Sequence, residues 1–480
     1  HRGRADVASV AERLWYPIWD RGLGLDHSVR TVKQALAVAE ADPKVALGLL
    51  DLRLIAGDAE LATEMSDRIR EQWRRRARSW LPALHHETVA RHERYGEVAF
   101  LLEPELKEGK GGLRDVHGLR AAALASPVLG GRADALADPA ARLAAVRDAL
   151  HRHAGRALDR LVLQEQDAVA AALGFGDADA LMAEVSAAAR AIAFAHDDGW
   201  RRVFNWLDGP SGRRASRDRP LADGVVLRDG EVVATDPARW LAAAAQAAAL
   251  GVPLAAATLA QARTAAPGPD ERWPPDRRDA FVALLGAGPS AVAVLEALDQ
   301  HGLLVGLVPE WATVRHRPQR NAYHRFTVDR HLIETAAQAG ALTRTVARPD
   351  LLLVAALLHD IGKGSPGDHT AAGVAMVPVI AARMGFSAGD VDVLCELVRH
   401  HLLLAEVATR RDLDDPLTAA SVAKAVGDPG TLDLLHALTR ADSLATGPSA
   451  WSDWKASLVA DLVERTRAVL VASAAGSAPA

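Results

Sequence analysis

A histidine and an aspartate stand side by side at the end of an almost wholly apolar segment. The segment Leu351–Leu358 predicts a buried helix, and His359 and Asp360 follow it directly. Two ionisable side chains at the inner end of such a helix are costly to bury unless something satisfies them. Because neutral imidazole and carboxylate are good ligands for Zn, Mn or Fe, this pair predicts a divalent metal site.

Further candidate ligands recur on successive predicted helices or at their ends. In chain order they are His331, His369, His400, His401 and Asp442. His400 and His401 are adjacent in a helical pattern, so one of the two should point away from the site. Gly362 and Gly364 would allow a tight turn after the pair. Lys363, between them, lies where an anionic phosphate could approach.

The order His, His-Asp, His, His-His, Asp resembles the HD phosphohydrolase superfamily. The resemblance implies that one metal is held by four residues, His331, His359, Asp360 and Asp442. It also implies that His369 and His400 match the histidines that can hold a second metal, while His401 is left open. The expected cofactor is a divalent metal, Mg or Mn before Zn or Fe. Asp360 and Lys363 are the expected catalytic residues of this site.

Several separated stretches are similar to the bifunctional PII uridylyltransferase/uridylyl-removing enzyme family. They lie in both halves of the chain, and together they are specific. The stretches are Glu103–Lys107, Gly111–Asp115, Asn321–His331, His400–Leu404, Arg410–Pro416, Ala441–Pro448 and Trp451–Leu458.

This resemblance implies an enzyme of nitrogen regulation with two opposed activities. The whole protein would add a nucleotidyl group to a tyrosine of the signalling protein PII when glutamine is scarce. It would remove the group when glutamine is plentiful, by hydrolysis with a metal-activated water. The expected partners are PII and a nucleotide, UMP/UTP or AMP/ATP, and the sequence leaves this choice open. The alternatives are a general HD nucleotide phosphohydrolase and a catalytically inactive PII-binding scaffold.

The resemblance also indicates which family features this sequence lacks. The family's transferase site opens with a Gly-Ser turn and an Asp-x-Asp pair, and neither precedes Asp51. Asp51 stands where a third catalytic carboxylate is expected, and the alternative is a strand-end residue paired with Arg53. No glutamine-sensing ACT domain is found before Ala480, and the sequence begins with His1. We therefore expect a fragment that retains the nucleotidyl-removing half.

The composition and hydrophobic pattern predict a mainly α protein. Its 480 residues exceed what a single core usually holds, so several domains are expected. They are a remnant α/β nucleotidyltransferase domain, a helical transferase-associated domain, a helical linker region with a short hairpin, a helical HD-type domain and a tail. The expected bounds are 1–65, 66–210, 211–313, 314–447 and 448–480.

Composition also excludes several classes of protein. A net charge of −5 argues against a nonspecific nucleic-acid binder, which would carry a basic excess. The sequence contains no run of about 18 apolar residues, so no membrane span is predicted. The single cysteine, Cys395, allows no internal disulfide, which fits an expected cytoplasmic location.

Two local patterns make separate predictions. The glycines and charges of Glu103–Asp115 predict a structured loop, for which a positioning turn and a phosphate-binding loop are the alternatives. The segment lacks the spacing of a P-loop. Gly224–Ala234 predicts a hairpin with Asp229 and Gly230 as its turn.

Overall fold

A computed structural model describes residues 7–209, 218–265, 268, 271–320, 325–447 and 449–476. Residues 321–324 of the motif before His331 lie outside this part. The described residues are 71% helical with few strands, which confirms the mainly α prediction. None of the helices in the described part is long and apolar enough to span a bilayer.

The helices before the sheet are named α1 to α9 in chain order. Their bounds are α1 Val7–Trp19, α2 Val32–Ala41, α3 Pro43–Leu50, α4 Ala59–Arg75, α5 Ala77–Tyr95, α6 Leu113–Ala125, α7 Ala137–Ala154, α8 Leu163–Leu173 and α9 Ala178–Leu207. The described chain divides into two compact units. The first lies within residues 1–94, 114–137 and 195–210, and the second within 95–113, 138–194 and 211–480.

Helix α3 precedes Asp51, where the alternative interpretation of this residue placed a strand. Asp42 caps this helix by accepting a hydrogen bond from the Lys44 amide at 2.9 Å, and Pro43 occupies its first turn. Ala46 and Leu50 are buried at helical spacing. The alternative interpretation of Asp51 as a strand-end residue is therefore wrong, since no strand occurs among the described residues 7–65.

In the glycine-containing loop before α6, a side-chain carboxylate binds backbone amides of the same loop. The Glu105 carboxylate accepts hydrogen bonds from the amides of Glu108 and Gly109. Gly111 has φ of 81°, and a Cβ there would collide with the Ala189 carbonyl oxygen. These internal contacts favour the positioning turn over the phosphate-binding loop.

Three antiparallel strands follow α9 in the chain, β1 Arg219–Ala222, β2 Val225–Arg228 and β3 Glu231–Ala234, in the order β1-β2-β3. Arg228 pairs with Glu231, so Asp229 and Gly230 form a two-residue turn. Both turn residues have positive φ, 52° and 79°, as a type I′ turn requires. The hairpin prediction is confirmed.

The remaining helices of the described chain are named α10 to α22. Their bounds are α10 Trp240–Leu250, α11 Ala256–Ala265, α12 Pro275–Leu285, α13 Pro289–Gln300, α14 Leu303–Leu307, α15 Val328–Gly340, α16 Pro349–Leu358, α17 His369–Arg383, α18 Ala388–His400, α19 Leu403–Arg410, α20 Pro416–Val426, α21 Pro429–Thr446 and α22 Asp453–Gly476.

Helix α16 is the central element of this helical region. Every residue of it from Leu351 to Leu358 is buried, as the apolar run predicts. It packs against α15, α18 and α21, so apolar contacts surround it on several sides. The polar residues at the end of α16 therefore lie inside the second unit, next to the helices that pack against α16.

Candidate functional site

Four side chains, from two helices and from the end of a third, converge at the end of α16. His331 lies on α15, His359 caps α16, Asp360 follows it, and Asp442 lies on α21. His331 and His359 are each 1% exposed and Asp360 is 3% exposed. This group will be called the first ligand group.

The donor atoms of the first ligand group lie within metal-binding reach of one another. The Nε2 atoms of His331 and His359 are 3.3 Å apart. The Asp442 Oδ1 atom lies 3.0 Å from the first nitrogen and 3.6 Å from the second. Asp360 Oδ2 lies 3.9 Å from His331 Nε2 and 3.4 Å from His359 Nε2. The four residues predicted from the sequence are therefore brought together.

A backbone carbonyl sets the tautomer of His359. Its Nδ1 atom lies 2.9 Å from the Ala356 carbonyl oxygen, which can only accept a hydrogen bond. The Nδ1 atom therefore carries a proton, and Nε2 is the nitrogen that faces the group and that a metal would bind in place of a proton. Metal-ligating histidines are commonly oriented in this way.

A second ligand group shares Asp360. Its Oδ1 atom lies 4.0 Å from His369 Nε2 and 3.6 Å from His401 Nε2. His401 is 3% exposed, and its Nδ1 atom donates to the Val398 carbonyl at 2.7 Å, which leaves Nε2 as a ligand. His369, the first residue of α17, is half-buried. One carboxylate thus faces two groups of imidazoles, one with each oxygen.

His400 does not join the second ligand group, so the structure corrects that assignment. Its Nε2 atom lies 3.3 Å from the Glu396 carboxylate, one turn earlier on α18. Adjacent residues on a helix point about 100° apart, so His400 and His401 cannot both face the site. His401 is the inward one.

Lys363 joins the site through Asp360. Its Nζ atom lies 2.6 Å from Asp360 Oδ2 and donates to Gln319 Oε1 at 2.9 Å. Gln319 was not singled out in the sequence, and no local pattern marks it. An ammonium has three protons, so Lys363 can still donate to a phosphoryl oxygen at this position.

The turn after Asp360 requires glycine because another helix approaches it closely. A Cβ at Gly362 would collide with the His369 carbonyl oxygen and the Gly373 amide, both on α17. We expect Gly362→Ala to lower the free energy of unfolding by about 1–3 kcal/mol, as overpacking does. Urea denaturation measures this change.

Gly389→Ala is the matched control for this substitution. Gly389 lies on α18, and a Cβ there would meet nothing within 4 Å. Alanine is favoured over glycine in a helix by about 1 kcal/mol or less, so no destabilisation is expected. Equal losses in the two variants would contradict the close approach at Gly362.

A buried ion network holds the start of α15, where His331 stands. The Arg190 guanidinium lies 2.7 Å from Glu296, 2.8 Å from Asp299 and 2.9 Å from Asp329. Asp329, in the first turn of α15, also accepts a hydrogen bond from the His316 amide at 2.8 Å. The members of this network are far apart in the chain, so no local sequence pattern predicts it.

The electrostatics of the site favour a cation. Burial lowers the pKa of His359, but Asp360 and Asp442 outweigh burial and raise it to about 10. Burial raises the pKa of Asp360, yet His359 and Lys363 hold it well below its ordinary value. The pKa of Asp442 is also held low, because His331 and His359 outweigh burial. Burial lowers the pKa of His401, which favours the neutral imidazole that a metal needs.

These residues fit a bound divalent metal. Among the described residues, the buried Asp360 Oδ1 atom has no hydrogen-bond partner, although it faces the imidazoles of His369 and His401. Buried polar atoms are normally satisfied, and a cation between these donors would satisfy this one. Two clusters of the site, His331–His359–Asp360 and Asp360–His369–His401, could each hold an ion.

Asp51 has a different environment. It is exposed, follows α3 as its capping residue, and belongs to none of the candidate metal-binding groups among the described residues.

Comparison with known families agrees with this site. Residues 63–198 match the family described as GlnD PII-uridylyltransferase, and residues 328–447 match the HD domain. A bifunctional uridylyltransferase/uridylyl-removing enzyme of Streptomyces coelicolor is 53% identical over 98% of this chain. The chain belongs to this enzyme family. The enzymes of the same name from Mycobacterium tuberculosis and Corynebacterium glutamicum are 48% and 38% identical over 98% and 92% of the chain.

The chain is shorter than these family members. It spans 59% of the Streptomyces enzyme, 61% of the Mycobacterium enzyme and 64% of the Corynebacterium enzyme. The HD match includes all residues of both ligand groups.

Proposed function

We propose that this chain removes a nucleotidyl group from PII by hydrolysing the phosphodiester between the nucleotide and a tyrosine side chain. The observation that carries the proposal is the convergence of His331, His359, Asp360 and Asp442 inside the HD region. The names of the related enzymes, which include uridylyl removal, support the choice of reaction. The nucleotide is uridylyl or adenylyl.

The roles of the residues follow from their positions. His331, His359, Asp360 and Asp442 would hold a divalent metal, for which Mg or Mn is proposed. When bound, that ion supplies a Lewis acid for phosphoryl oxygen and lowers the pKa of water. Asp360 stays ionised at neutral pH because its pKa is held low, so it acts as a ligand rather than as a strong base. Lys363 donates to a phosphoryl oxygen and offsets developing negative charge.

The whole protein is proposed to carry the opposite activity as well. We propose transfer of a nucleotidyl group from UTP or ATP to PII, with glutamine as the regulator. The match of residues 63–198 to the uridylyltransferase family supports this extension. Asp51 is retained as a proposed transferase residue on the resemblance alone.

A direct assay tests the removal reaction. The chain is incubated with uridylylated PII and, separately, with adenylylated PII, in Mn²⁺ or Mg²⁺, and released nucleotide is measured by chromatography. Release from one substrate, abolished by a chelator, is the expected result. Hydrolysis of free nucleotides without action on PII would favour a general nucleotide phosphohydrolase, and no release from any substrate would favour a scaffold.

Two adjacent histidines provide a sharper test of the site. We expect His401→Ala to reduce nucleotide release by about 10–100-fold, because it removes an imidazole that faces Asp360 Oδ1. His400→Ala should leave release within about threefold of the wild type, since His400 contacts Glu396. A larger loss in the His400 variant would reverse the assignment of the second ligand group.

A further inference from the structure

A second cluster of metal-ligating side chains lies in the first compact unit. It consists of His92 on α5, Asp115 on α6 and His196 on α9, and their donor atoms lie within 4.8 Å of one another. Asp115 is 1% and His196 2% exposed, and the His92 side chain is 14% exposed. We propose that these three residues bind a divalent transition metal ion, Zn²⁺ by their chemistry, that connects the three helices.

The orientation of the His196 imidazole supports a cation site. Its Nδ1 atom lies 3.3 Å from Asp197 Oδ1, and a carboxylate only accepts hydrogen bonds, so Nδ1 carries the proton. The Nε2 atom then points toward the cluster, 3.9 Å from Asp115 Oδ1, and in the neutral imidazole it carries the lone pair that a metal binds. This nitrogen is buried and, among the described residues, has no hydrogen-bond partner. A lone pair that faces a carboxylate oxygen in a buried place is repulsive, and either a proton or a metal ion between the two atoms removes the repulsion.

The other two ligands are already oriented for binding. His92 Nε2 lies 2.8 Å and 3.0 Å from the two oxygens of Asp115. Arg91 donates to the same carboxylate and fixes its orientation, and the Asp197–His196 contact orients the imidazole. Such outer contacts are typical of ligands at zinc sites. Metal binding would displace the proton of His92 Nε2 to solvent.

The donor set selects the ion. Two imidazole nitrogens and one carboxylate suit Zn²⁺ better than Mg²⁺ or Ca²⁺, which prefer oxygen ligands.

Asp115 is the last residue of the Gly-Gly-Leu-Arg-Asp stretch, one of the motifs noted in the sequence, and the proposed removal reaction does not use it. The wall of the cluster includes the ring of Trp200, which is 1% exposed and lies 6.2 Å from the His196 ring.

Zinc binding to the full chain tests this proposal, independently of nucleotide release. The HD site is first disabled with His359→Gln and Asp360→Asn in the same chain. Bound Zn²⁺ is then measured by elemental analysis after gel filtration, and Co²⁺ is used as a spectroscopic probe of nitrogen and oxygen ligation. About one equivalent of Zn²⁺ is expected in this background.

Adding His196→Gln to that background should remove the equivalent of Zn²⁺. His86→Gln is the matched control, since His86 is exposed on the same helix as His92, and it should retain the ion. Absence of bound Zn²⁺ in the disabled chain, which needs no change in the cluster, would overturn the proposal. Retention of Zn²⁺ by the His196 variant would overturn it as well.

Discussion

Asp360→Asn is expected to reduce release of nucleotide from PII by at least about 100-fold, together with loss of bound metal. Removing a residue that only contacts a metal ligand lowers metal affinity or activity by about 10–100-fold. Asp360 is proposed as a ligand itself, so a larger loss is expected. Its two oxygens face different groups, Oδ2 toward His331 and His359 and Oδ1 toward His369 and His401. The amide of asparagine replaces one oxygen with a donor and removes the negative charge, so both groups lose a shared ligand.

Release of nucleotide and metal content are measured on the same preparation. Asp392→Asn is the matched control, because Asp392 is an exposed carboxylate on α18 of the same helical region. The control should keep its activity within about twofold and its metal content unchanged. Activity in the Asp360 variant close to that of the control would remove this carboxylate from the mechanism.

Arg190→Met is expected to have the largest effect on stability, a loss of about 3–5 kcal/mol in the free energy of unfolding. Breaking a buried ion pair by removing one partner has this cost because it leaves uncompensated charge. Here one guanidinium, whose side chain is 2% exposed, faces three carboxylates within 3 Å. Methionine fills part of the volume, but Glu296, Asp299 and Asp329 would remain buried with less positive charge near them.

Urea denaturation followed by circular dichroism measures the loss. Arg152→Met is the control, since its ion pair with Asp148 is exposed, with side-chain exposures of 79% and 60%. Exposed pairs contribute about 0–1 kcal/mol, so only a small change is expected there. Similar shifts of the urea midpoint in both variants would show that the Arg190 network does not stabilise the fold.

The local sequence was sufficient wherever contacts within a few residues decide the structure. The apolar run Leu351–Leu358 predicted the buried helix α16, and the Asp229–Gly230 turn predicted the hairpin. One local signal was overlooked. Asp42 followed by Pro43 is a helix start, and it could have predicted α3 and excluded the alternative of a strand before Asp51.

The order of histidines and aspartates along the chain by itself determined the class of the site, because each type of ligand has its own chemistry and the motifs are specific. The choice between His400 and His401 needed the tertiary structure, since it depends on the rotation of α18 about its axis. The Arg190 network and the His92–Asp115–His196 cluster needed it too. Their members are separated by up to 139 positions, and only the packing of helices brings them within a few ångströms.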